Sequence, residues 1–501
     1  MPDITDFTKP YYGLSNLSGV TKVLVILWDP HRTAHPAPSK SDIDTLIFGN
    51  AQSVRAWFAE NSLGRFTIEK KALLGWYDAR YPWEFYWRVG PFAPPSNASD
   101  PHYYVDADGN IRYLDDEGFY KGHTHSWAEA IGDKADPDFD YSPYDSDGDG
   151  VLENNELPIL IVKPQNSPFG TNRPVVGRQV PPQDLIVDGV KVPWMSEVYI
   201  GRPLNLGVVA HELCHHVCPG ADMYPNSNLP PERRARSYSI MDITYSAFHI
   251  DPYHKLKLGW VNPRLIDRSG WYTLQDVETT GEVLILHDPN HGSSEFFIVE
   301  NRWPGTSFDQ GLPAAGLGIW HIIEDPSLKT DWGRRAVGLR RANGGTPIDD
   351  AMALFNGSTP VLGYDLDDES APQNLRFRNN LRSGIRIAKI PAAGKSMTFY
   401  VDVPPTWGTV QVAEGSINLL RVHDRGGYGP SDGRIDTECV VRMDSLPAIA
   451  LGLPLEVDTF GAAGRGMLQL LRSAYVGNRK IRVEFVRTGT ITGELVRAYP
   501  L

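Results

Sequence analysis

The sequence predicts a mixed α/β (α+β) domain over residues 1–264, followed by all-β domains over residues 265–403 and 404–501. One observation is the strand–helix–strand pattern of residues 20–77, which is typical of an α/β layer. A second is the apolar helix pattern of residues 205–218. The third is a change beyond residue 265, where short runs of branched and aromatic residues alternate with Gly, Pro and Asp turns, as in all-β proteins.

The first layer is predicted from neighbouring patterns. Lys22–Trp28 is a run of branched apolar residues, as in a buried strand. Ser39–Glu60 has a polar start followed by apolar residues at helical spacing, and Phe66–Trp76 alternates like a second strand. Residues 78–122 are rich in turn-forming residues, so we expect loops there. Thr124–Lys134 is a predicted short helix.

An acidic loop follows at residues 145–156, with oxygen-bearing residues at loop positions 1, 3, 5, 7 and 12 and glycine at position 6. This spacing can wrap about six to eight oxygens around one Ca²⁺. The predicted ligands are Asp145, Asp147, Asp149, the Val151 carbonyl and Glu156. Because Asp136-Pro137 and Pro143 stand where an entering helix would be, no EF-hand pair is implied, and we expect a structural ion. The alternative is a solvated acidic loop.

The most informative stretch is His211-Glu212-Leu-Cys-His215, which follows the apolar run Leu206–Ala210. On an α-helix the two histidines lie one above the other, so that their imidazole nitrogens can bind one Zn²⁺. Glu212 lies beside them, where it can take a proton from a metal-activated water. The alternative is a surface helix that carries two histidines, but the preceding run is typical of a buried helix.

This helix should end soon after His215, because Pro219-Gly220 cannot continue it comfortably, and a chain that turns back there can bring a third zinc ligand to the metal. Asp222 is the best candidate, because its carboxylate follows directly after the helix breaker. Two alternatives stay open. Cys218 lies seven residues after His211 on the same helical face. Glu232 would suit a ligand from a second helix, although the neighbouring prolines argue against such a helix.

Several motifs extend over roughly residues 20–325: His211-Glu-x-x-His215, Asp222-x-Tyr224, Ser239-Ile-Met241-Asp242, Lys255-Leu-Lys-Leu-Gly259-Trp260, Glu300-Asn-Arg302 and Gly316-Leu-Gly-Ile-Trp320-His321. Together they resemble the immune inhibitor A family of metzincin-type zinc metallopeptidases. The resemblance implies a metzincin-like fold and a zinc-dependent endopeptidase that acts on protein or peptide substrates. This chain has Cys218 at a glycine position of the family, and its aspartate lies one residue further from the first histidine.

The resemblance also implies roles for individual residues. Met241 would lie in a tight turn beneath the zinc ligands, as the methionine of metzincins does. Glu212 would be the general base, and Tyr245, four residues after Met241, would stabilise the oxyanion. Tyr224 and Tyr238 are alternatives for that role.

Three polar residues, Glu300, Arg302 and His321, occur in strand-like runs of the second domain. We expect them to meet in a buried cluster at the interface with the first domain. The cluster would belong to the active site or, in the more usual role for such groups, form a structural hydrogen-bond network. The three cysteines, Cys214, Cys218 and Cys439, do not make a disulfide framework.

Composition limits the partners and the location. A formal net charge of −13 argues against nucleic acid and anionic membranes. No stretch approaches about eighteen uninterrupted apolar residues, so no membrane span is expected. The start has no signal-peptide pattern, whereas the family resemblance implies secretion; a cytoplasmic location is the alternative. The rival function is a calcium-stabilised binding protein, weakly active or inactive, built on a metallopeptidase fold.

Overall fold

The computed structural model describes residues 2–30, 37–80, 86, 103–105, 111–113, 123–164, 169–174, 184–201, 203–224, 233–244, 246–289, 291–328, 332–404, 410–423, 439–453, 455, 461–487 and 491–501. Within them the α-helices are α1 (Ile4–Thr8), α2 (Lys40–Phe48), α3 (Val54–Asn61), α4 (His123–Ala128), α5 (Leu206–Val217), α6 (Pro252–Lys257), α7 (Val277–Thr280), α8 (Trp332–Ala336) and α9 (Gly461–Val476). The strands are β1 (Gly19–Asp29), β2 (Phe66–Asp78), β3 (Tyr103–Val105), β4 (Ile111–Tyr113), β5 (Ile159–Pro164), β6 (Phe169–Pro174), β7 (Ile186–Val187), β8 (Val190–Lys191), β9 (Trp194–Ile200), β10 (Asn262–Ile266), β11 (Gly270–Gln275), β12 (Glu282–Leu286), β13 (Glu295–Arg302), β14 (Gly316–Ile323), β15 (Val337–Leu339), β16 (Arg386–Ala388), β17 (Ser396–Asp402), β18 (Gln411–Val422), β19 (Cys439–Met443), β20 (Ala450–Leu453), β21 (Lys480–Arg487) and β22 (Thr492–Pro500).

The first sheet has the strand order β2-β1-β5-β9-β6. Its strands pair in parallel, except that β6 runs antiparallel to β9 at one edge. Successive side chains of β1 point to opposite faces, and both faces are buried. Val23 and Val25 pack in a core with α2, α3 and α5, whereas Leu24 and Ile26 pack against the helical residues 123–135. The layered arrangement confirms the predicted mixed α/β class.

The strands and helices predicted for the first layer are present with one correction, whereas most of residues 78–122, where we expect loops, lie outside the described residues. The single helix predicted over Ser39–Glu60 is wrong, because α2 ends at Phe48 and α3 begins at Val54. Gly49 follows the first helix, and the Ser53 hydroxyl caps the second by accepting a hydrogen bond from the Ala56 amide at 3.1 Å. A glycine and an N-capping serine in close succession favour two helices over one.

The second sheet, β10-β12-β13-β14-β15, is also buried on both faces. Ile298 and Trp320 on one face belong to the core that contains α5. Phe297 and Ile319 on the other face pack in a second core with the three-stranded sheet β11-β17-β16. Residues on both sides of position 264 therefore share one hydrophobic core, and the strands predicted between residues 265 and 403 are present. The prediction that this region is all-β is wrong at the short helices α7 and α8.

The last region is a closed barrel with the strand order β18-β19-β20-β22-β21. The strands β20 and β22 are parallel, and α9 lies between β20 and β21 in the chain, which is the connectivity of an OB-type barrel. The prediction of an all-β module is wrong at α9. Its apolar residues recur at helical spacing and pack in the barrel core; they are Met467, Leu468, Leu471 and Ala474. Among the described helices, α9 included, none has the length and apolar character needed to cross a membrane.

Candidate metal centre

The helix α5 carries both histidines of the His-Glu-x-x-His motif. The Asn205 side chain caps its start by accepting a hydrogen bond from the Val208 amide at 3.1 Å, and the helix ends at Val217, as predicted. Its apolar residues are buried in the core beside the first sheet. His211 and His215 lie one helical turn apart, with ring centroids 4.6 Å from each other.

Asp222 completes a group of three donor atoms. Its Oδ1 lies 3.3 Å from His211 Nε2 and 3.1 Å from His215 Nε2, and the two imidazole nitrogens are 3.1 Å apart. Ligands about 2.0–2.1 Å from a tetrahedral zinc ion are separated by roughly 3.3 Å. The three atoms therefore have about the mutual spacing of three corners of a zinc coordination tetrahedron.

The backbone orients both imidazoles towards this point. His211 Nδ1 donates to the Ile240 carbonyl at 2.9 Å, and His215 Nδ1 donates to the Gly220 carbonyl at 2.6 Å. With the proton on Nδ1, the Nε2 lone pair of each ring faces Asp222 Oδ1, which is buried and accepts no hydrogen bond from the described residues. Two neutral imidazoles with one carboxylate are a donor set that suits Zn²⁺.

Without a metal, the pKa values of these three side chains also show that the buried carboxylate is paired with a positive charge. Burial by itself raises the pKa of the Asp222 carboxyl, but its contacts with the two imidazoles hold that pKa below its ordinary value. Burial lowers the pKa of His211. For His215, burial is outweighed by Asp222, which raises the pKa to about 9. Positive charge on one imidazole thus offsets the carboxylate when no metal is bound.

The second oxygen of Asp222 faces a tyrosine and an arginine. Tyr224 donates its hydroxyl to Asp222 Oδ2 at 2.7 Å, and Arg334 Nη2 lies 3.7 Å from the same oxygen. The Arg334 guanidinium also stacks 5.2 Å above the Tyr224 ring. Arg334 belongs to α8, so the second region contributes a side chain to the site. These contacts leave Oδ1 as the oxygen that faces the imidazoles.

The turn that contains Met241 lies next to the histidines. The Ile240 carbonyl orients His211, and the Met241 carbonyl accepts a hydrogen bond from the Met223 amide at 2.8 Å, which binds the segment around Asp222 to the turn. Met241 is fully buried in the same core as α5.

Of the alternative ligands, Cys218 is buried and does not join the three-donor group. Burial and a contact with Cys214 raise the pKa of the Cys218 thiol, which disfavours the thiolate that zinc requires. Two other predicted residues, Glu232 and Tyr245, lie outside the described residues. Of the alternative tyrosines, Tyr238 donates its hydroxyl to the Asp350 carbonyl at 2.7 Å, whereas Tyr224 lies at the metal centre.

No protein-family model matches the chain, and no curated protein matches it in sequence. The relationship to the immune inhibitor A family therefore stays a prediction. The chemistry open to the site follows from the arrangement of its own side chains.

A second group of histidine and carboxylates lies in the same structure and was not foreseen from the sequence. His249, Glu278 and Asp309 are fully or almost fully buried, with ligand atoms close enough to surround a metal ion. Cationic side chains fill the space instead. Lys255 Nζ lies 2.7 Å from Glu278 Oε2 and 3.0 Å from His249 Nδ1, and Arg302 Nη2 lies 2.7 Å from Asp309 Oδ2. The arrangement is an internal ion-pair network.

The prediction that Glu300, Arg302 and His321 form one cluster is wrong for His321. Glu300 and Arg302 share a face of β13, with Glu300 Oε1 3.6 Å from Arg302 Nη1, and both belong to the buried network. His321 is directly opposite Phe297, on the other face of the sheet, where it pairs with Glu295 at 2.7 Å. Adjacent residues of a strand point to opposite faces, so His321 cannot reach the other two.

The acidic loop brings together three of the four predicted carboxylates. Oxygens of Asp145, Asp147 and Glu156 lie within 4.8 Å of one another, whereas Asp149 is grouped with Asp147 and Glu153. Asp145 accepts a hydrogen bond from the Gly150 amide at 2.9 Å, and Glu156 accepts one from the Ser146 amide at 2.6 Å, which closes the loop on itself.

The same loop is attached to neighbouring elements. Its Leu152 amide donates to the Lys191 carbonyl at 2.9 Å, and Lys191 donates back to the Gly150 carbonyl at 2.8 Å. Short non-α turns precede the loop, as predicted, and the strand β5 follows it. A second stretch with a similar pattern, Asp106-Ala-Asp108-Gly-Asn110, lies outside the described residues.

Proposed function

We propose that the chain is a zinc-dependent endopeptidase that hydrolyses peptide bonds of protein substrates, and that it is related to the metzincin-type peptidases of the immune inhibitor A family. The observation that supports this most is the convergence of His211 Nε2, His215 Nε2 and Asp222 Oδ1 within 3.1–3.3 Å of one another. Zinc bound by such donors lowers the pKa of water and polarises a carbonyl group.

The remaining chemistry comes from the chain itself. Glu212 is adjacent to the donors, with Oε1 3.9 Å from His211 Nε2, and is 5% exposed. In this position its carboxylate takes a proton from the attacking water and returns it to the leaving nitrogen. Tyr224, which is 40% exposed, has its hydroxyl at the rim of the site, while Tyr245 remains the donor predicted from the sequence.

The experiment that tests this function is Glu212→Ala with cleavage of an unstructured protein such as casein. Loss of a general base lowers turnover by about 10²–10⁴-fold. Because Glu212 is not one of the three donors, the variant should still bind one zinc ion per chain. Cleavage by the wild type should stop when the metal is chelated and return when zinc is restored.

Activity close to wild type in Glu212→Ala would contradict the proposed mechanism. Zinc binding by the wild type without any cleavage would favour the rival function, a binding protein built on the same fold. The control is Glu69→Ala, which removes an exposed carboxylate of β2 that belongs to neither candidate metal site.

We also propose that residues 145–156 bind one structural Ca²⁺. The proposal is supported by the gathered oxygens of Asp145, Asp147 and Glu156 and by the attachment of the loop exit to Lys191. Calcium neutralises mutually repelling carboxylates and so should raise the melting temperature of the chain. Asp147→Asn should remove most of that increase, which a thermal melt with and without calcium measures.

A further inference from the structure

A buried hydrogen-bond network lies behind the candidate metal centre. Asp251 Oδ2 accepts hydrogen bonds from His254 Nδ1 at 2.7 Å and from the Ser239 hydroxyl at 2.9 Å. On its other side, His254 Nε2 accepts a hydrogen bond from the Ala221 amide at 3.3 Å. The three side chains are at most 1% exposed. The network does not touch the zinc donors directly but ends on the residue that precedes Asp222.

The proton on His254 can be assigned from its neighbours. The Ala221 amide can only donate, so His254 Nε2 has to be the acceptor, and the ring proton is on Nδ1. A carboxylate at Asp251 is the partner that holds the proton there. The orientation of His254 towards Ala221 therefore depends on Asp251 being an acceptor.

Both ends of the network lie at the metal centre. Ser239 precedes Ile240, whose carbonyl orients His211, and the Ser239 hydroxyl also accepts a hydrogen bond from the Met241 amide at 3.2 Å. At the other end, Ala221 precedes Asp222. The third donor is thus held from two sides, by His254 through the Ala221 amide and by the Met241 carbonyl through the Met223 amide.

We propose that His254, oriented by Asp251, is a positioning residue that places Asp222 as the third zinc donor. The inference rests on the proposed zinc site and adds a requirement to it. Without this anchor, the segment that follows the helix breaker Pro219-Gly220 loses one of the two bonds that hold it beside the two histidines. Groups that orient metal ligands in this way typically change metal affinity about 10–100-fold when they are removed.

The sharpest test is Asp251→Asn, which keeps the shape of the side chain. Asp251 Oδ1 also caps α6 by accepting from the His254 amide at 3.1 Å, and an asparagine can keep that bond. Its amide nitrogen then faces His254 Nδ1 as a donor, which forces the ring proton onto Nε2, against the Ala221 amide. We expect the dissociation constant for Zn²⁺, measured by competition with a chromophoric chelator, to rise about 10–100-fold.

The matched control is Asp276→Asn. Asp276 is also buried, and it caps α7 by accepting from the Glu278 amide at 3.3 Å, but it has no bond to the metal centre. The control should bind zinc like the wild type, whatever its effect on stability. Equal zinc affinity in Asp251→Asn and Asp276→Asn would overturn the positioning role alone. If the wild type itself binds no zinc, the proposed function fails and this inference fails with it.

A rescue experiment distinguishes a positioning role of His254 from a general contribution to the stability of the fold. In the double variant Asp251→Asn with His254→Gln, the amide oxygen of glutamine can accept from the Ala221 amide without a tautomer having to be set. Zinc affinity should recover to within a few-fold of the wild type. If Asp251→Asn does not fold, His254→Phe removes the same acceptor, and a folded, metal-free His254→Phe that binds zinc as tightly as the wild type would overturn the proposal.

Discussion

Two groups of histidine and carboxylate residues lie in this molecule and differ in what occupies their centre. At the candidate metal centre, His211, His215 and Asp222 direct three acceptor atoms at one point. In the buried network around Glu278, an ammonium group and a guanidinium group already neutralise the carboxylates. The same residue types can therefore build a metal site or an internal ion-pair network.

The difference lies in the residues that surround each group. Around the metal centre, backbone carbonyls accept hydrogen bonds from Nδ1 of the two histidines, so that both Nε2 atoms face Asp222. In the network, His249 has carboxylates on both ring nitrogens, Glu60 at 2.9 Å and Glu278 in closer contact. Orientation by the neighbours, more than the identity of the donors, distinguishes a metal ligand from a structural histidine.

The largest effect on stability is expected at the network. Lys255→Met removes the ammonium that lies 2.7 Å from Glu278 and leaves a buried carboxylate short of a partner. Breaking a buried pair in this way costs about 3–5 kcal/mol. The free energy of unfolding in urea, measured on the metal-free chain, tests this.

The control for that variant is Lys70→Met, which breaks an exposed ion pair with Asp44 at 2.8 Å. Its cost should stay below about 1 kcal/mol because solvent screens the exposed charges. Equal effects of the two variants would show that the buried network does not stabilise the fold as argued.

A smaller, pH-dependent effect is expected from Glu300. Burial raises its pKa from 4.5 to about 7, although Arg302 opposes the shift. Between pH about 4.5 and pH about 7, Glu300 is therefore protonated in the folded chain and ionised in the unfolded chain. Its contribution to the free energy of unfolding is lost as the pH rises through this range. The contribution is at most about 3 kcal/mol.

Glu300→Gln removes this titration but keeps an oxygen that can accept from Trp320 Nε1, as Glu300 does at 2.9 Å. Subtracting the unfolding free energy of the variant from that of the wild type should give a value that falls as the pH rises from 5 to 8. A difference that does not change with pH would contradict the assignment.

The smallest effect is expected at the rim of the metal centre. Tyr224→Phe removes the hydroxyl that donates to Asp222 Oδ2 at 2.7 Å. One such bond contributes about 1 kcal/mol, so zinc should bind up to roughly tenfold more weakly. Tyr238→Phe, which loses a buried hydroxyl away from the metal centre, should leave zinc affinity unchanged, and an equal loss in both variants would argue against a role for Tyr224.

The local parts of the fold could be predicted from the sequence. The helix Leu206–Val217, the strands β1 and β2 and the position of Asp222 beyond the helix breaker follow from spacing, capping and Pro-Gly punctuation. The parts that depend on distant contacts could not. The network joins His249, Glu278 and Asp309, which are far apart in the chain and carry no common motif.

Strand faces and the last helix show the same limit. His321 lies in a strand-like run, as Glu300 and Arg302 do, but the register of β13 and β14 places it on the opposite face of the sheet. The helix α9 begins in a glycine-containing segment, Gly461–Gly466, and lies between strands, so the alternating pattern of its neighbours concealed its own period. The positioning role of His254 likewise depends on a bond to Ala221 that spacing alone does not predict.

The zinc content of the purified chain, after incubation with zinc and removal of the excess, decides whether the three donors form a metal site. We expect one tightly bound zinc ion per wild-type chain and, for His215→Ala, a loss of affinity of roughly 10²–10³-fold, because one of the three protein donors is removed. His287→Ala, which replaces a buried histidine that packs against Phe7, should keep its zinc. A wild type that binds no zinc, or a His215→Ala variant that binds it as tightly as the wild type, would show that these residues do not form a zinc site.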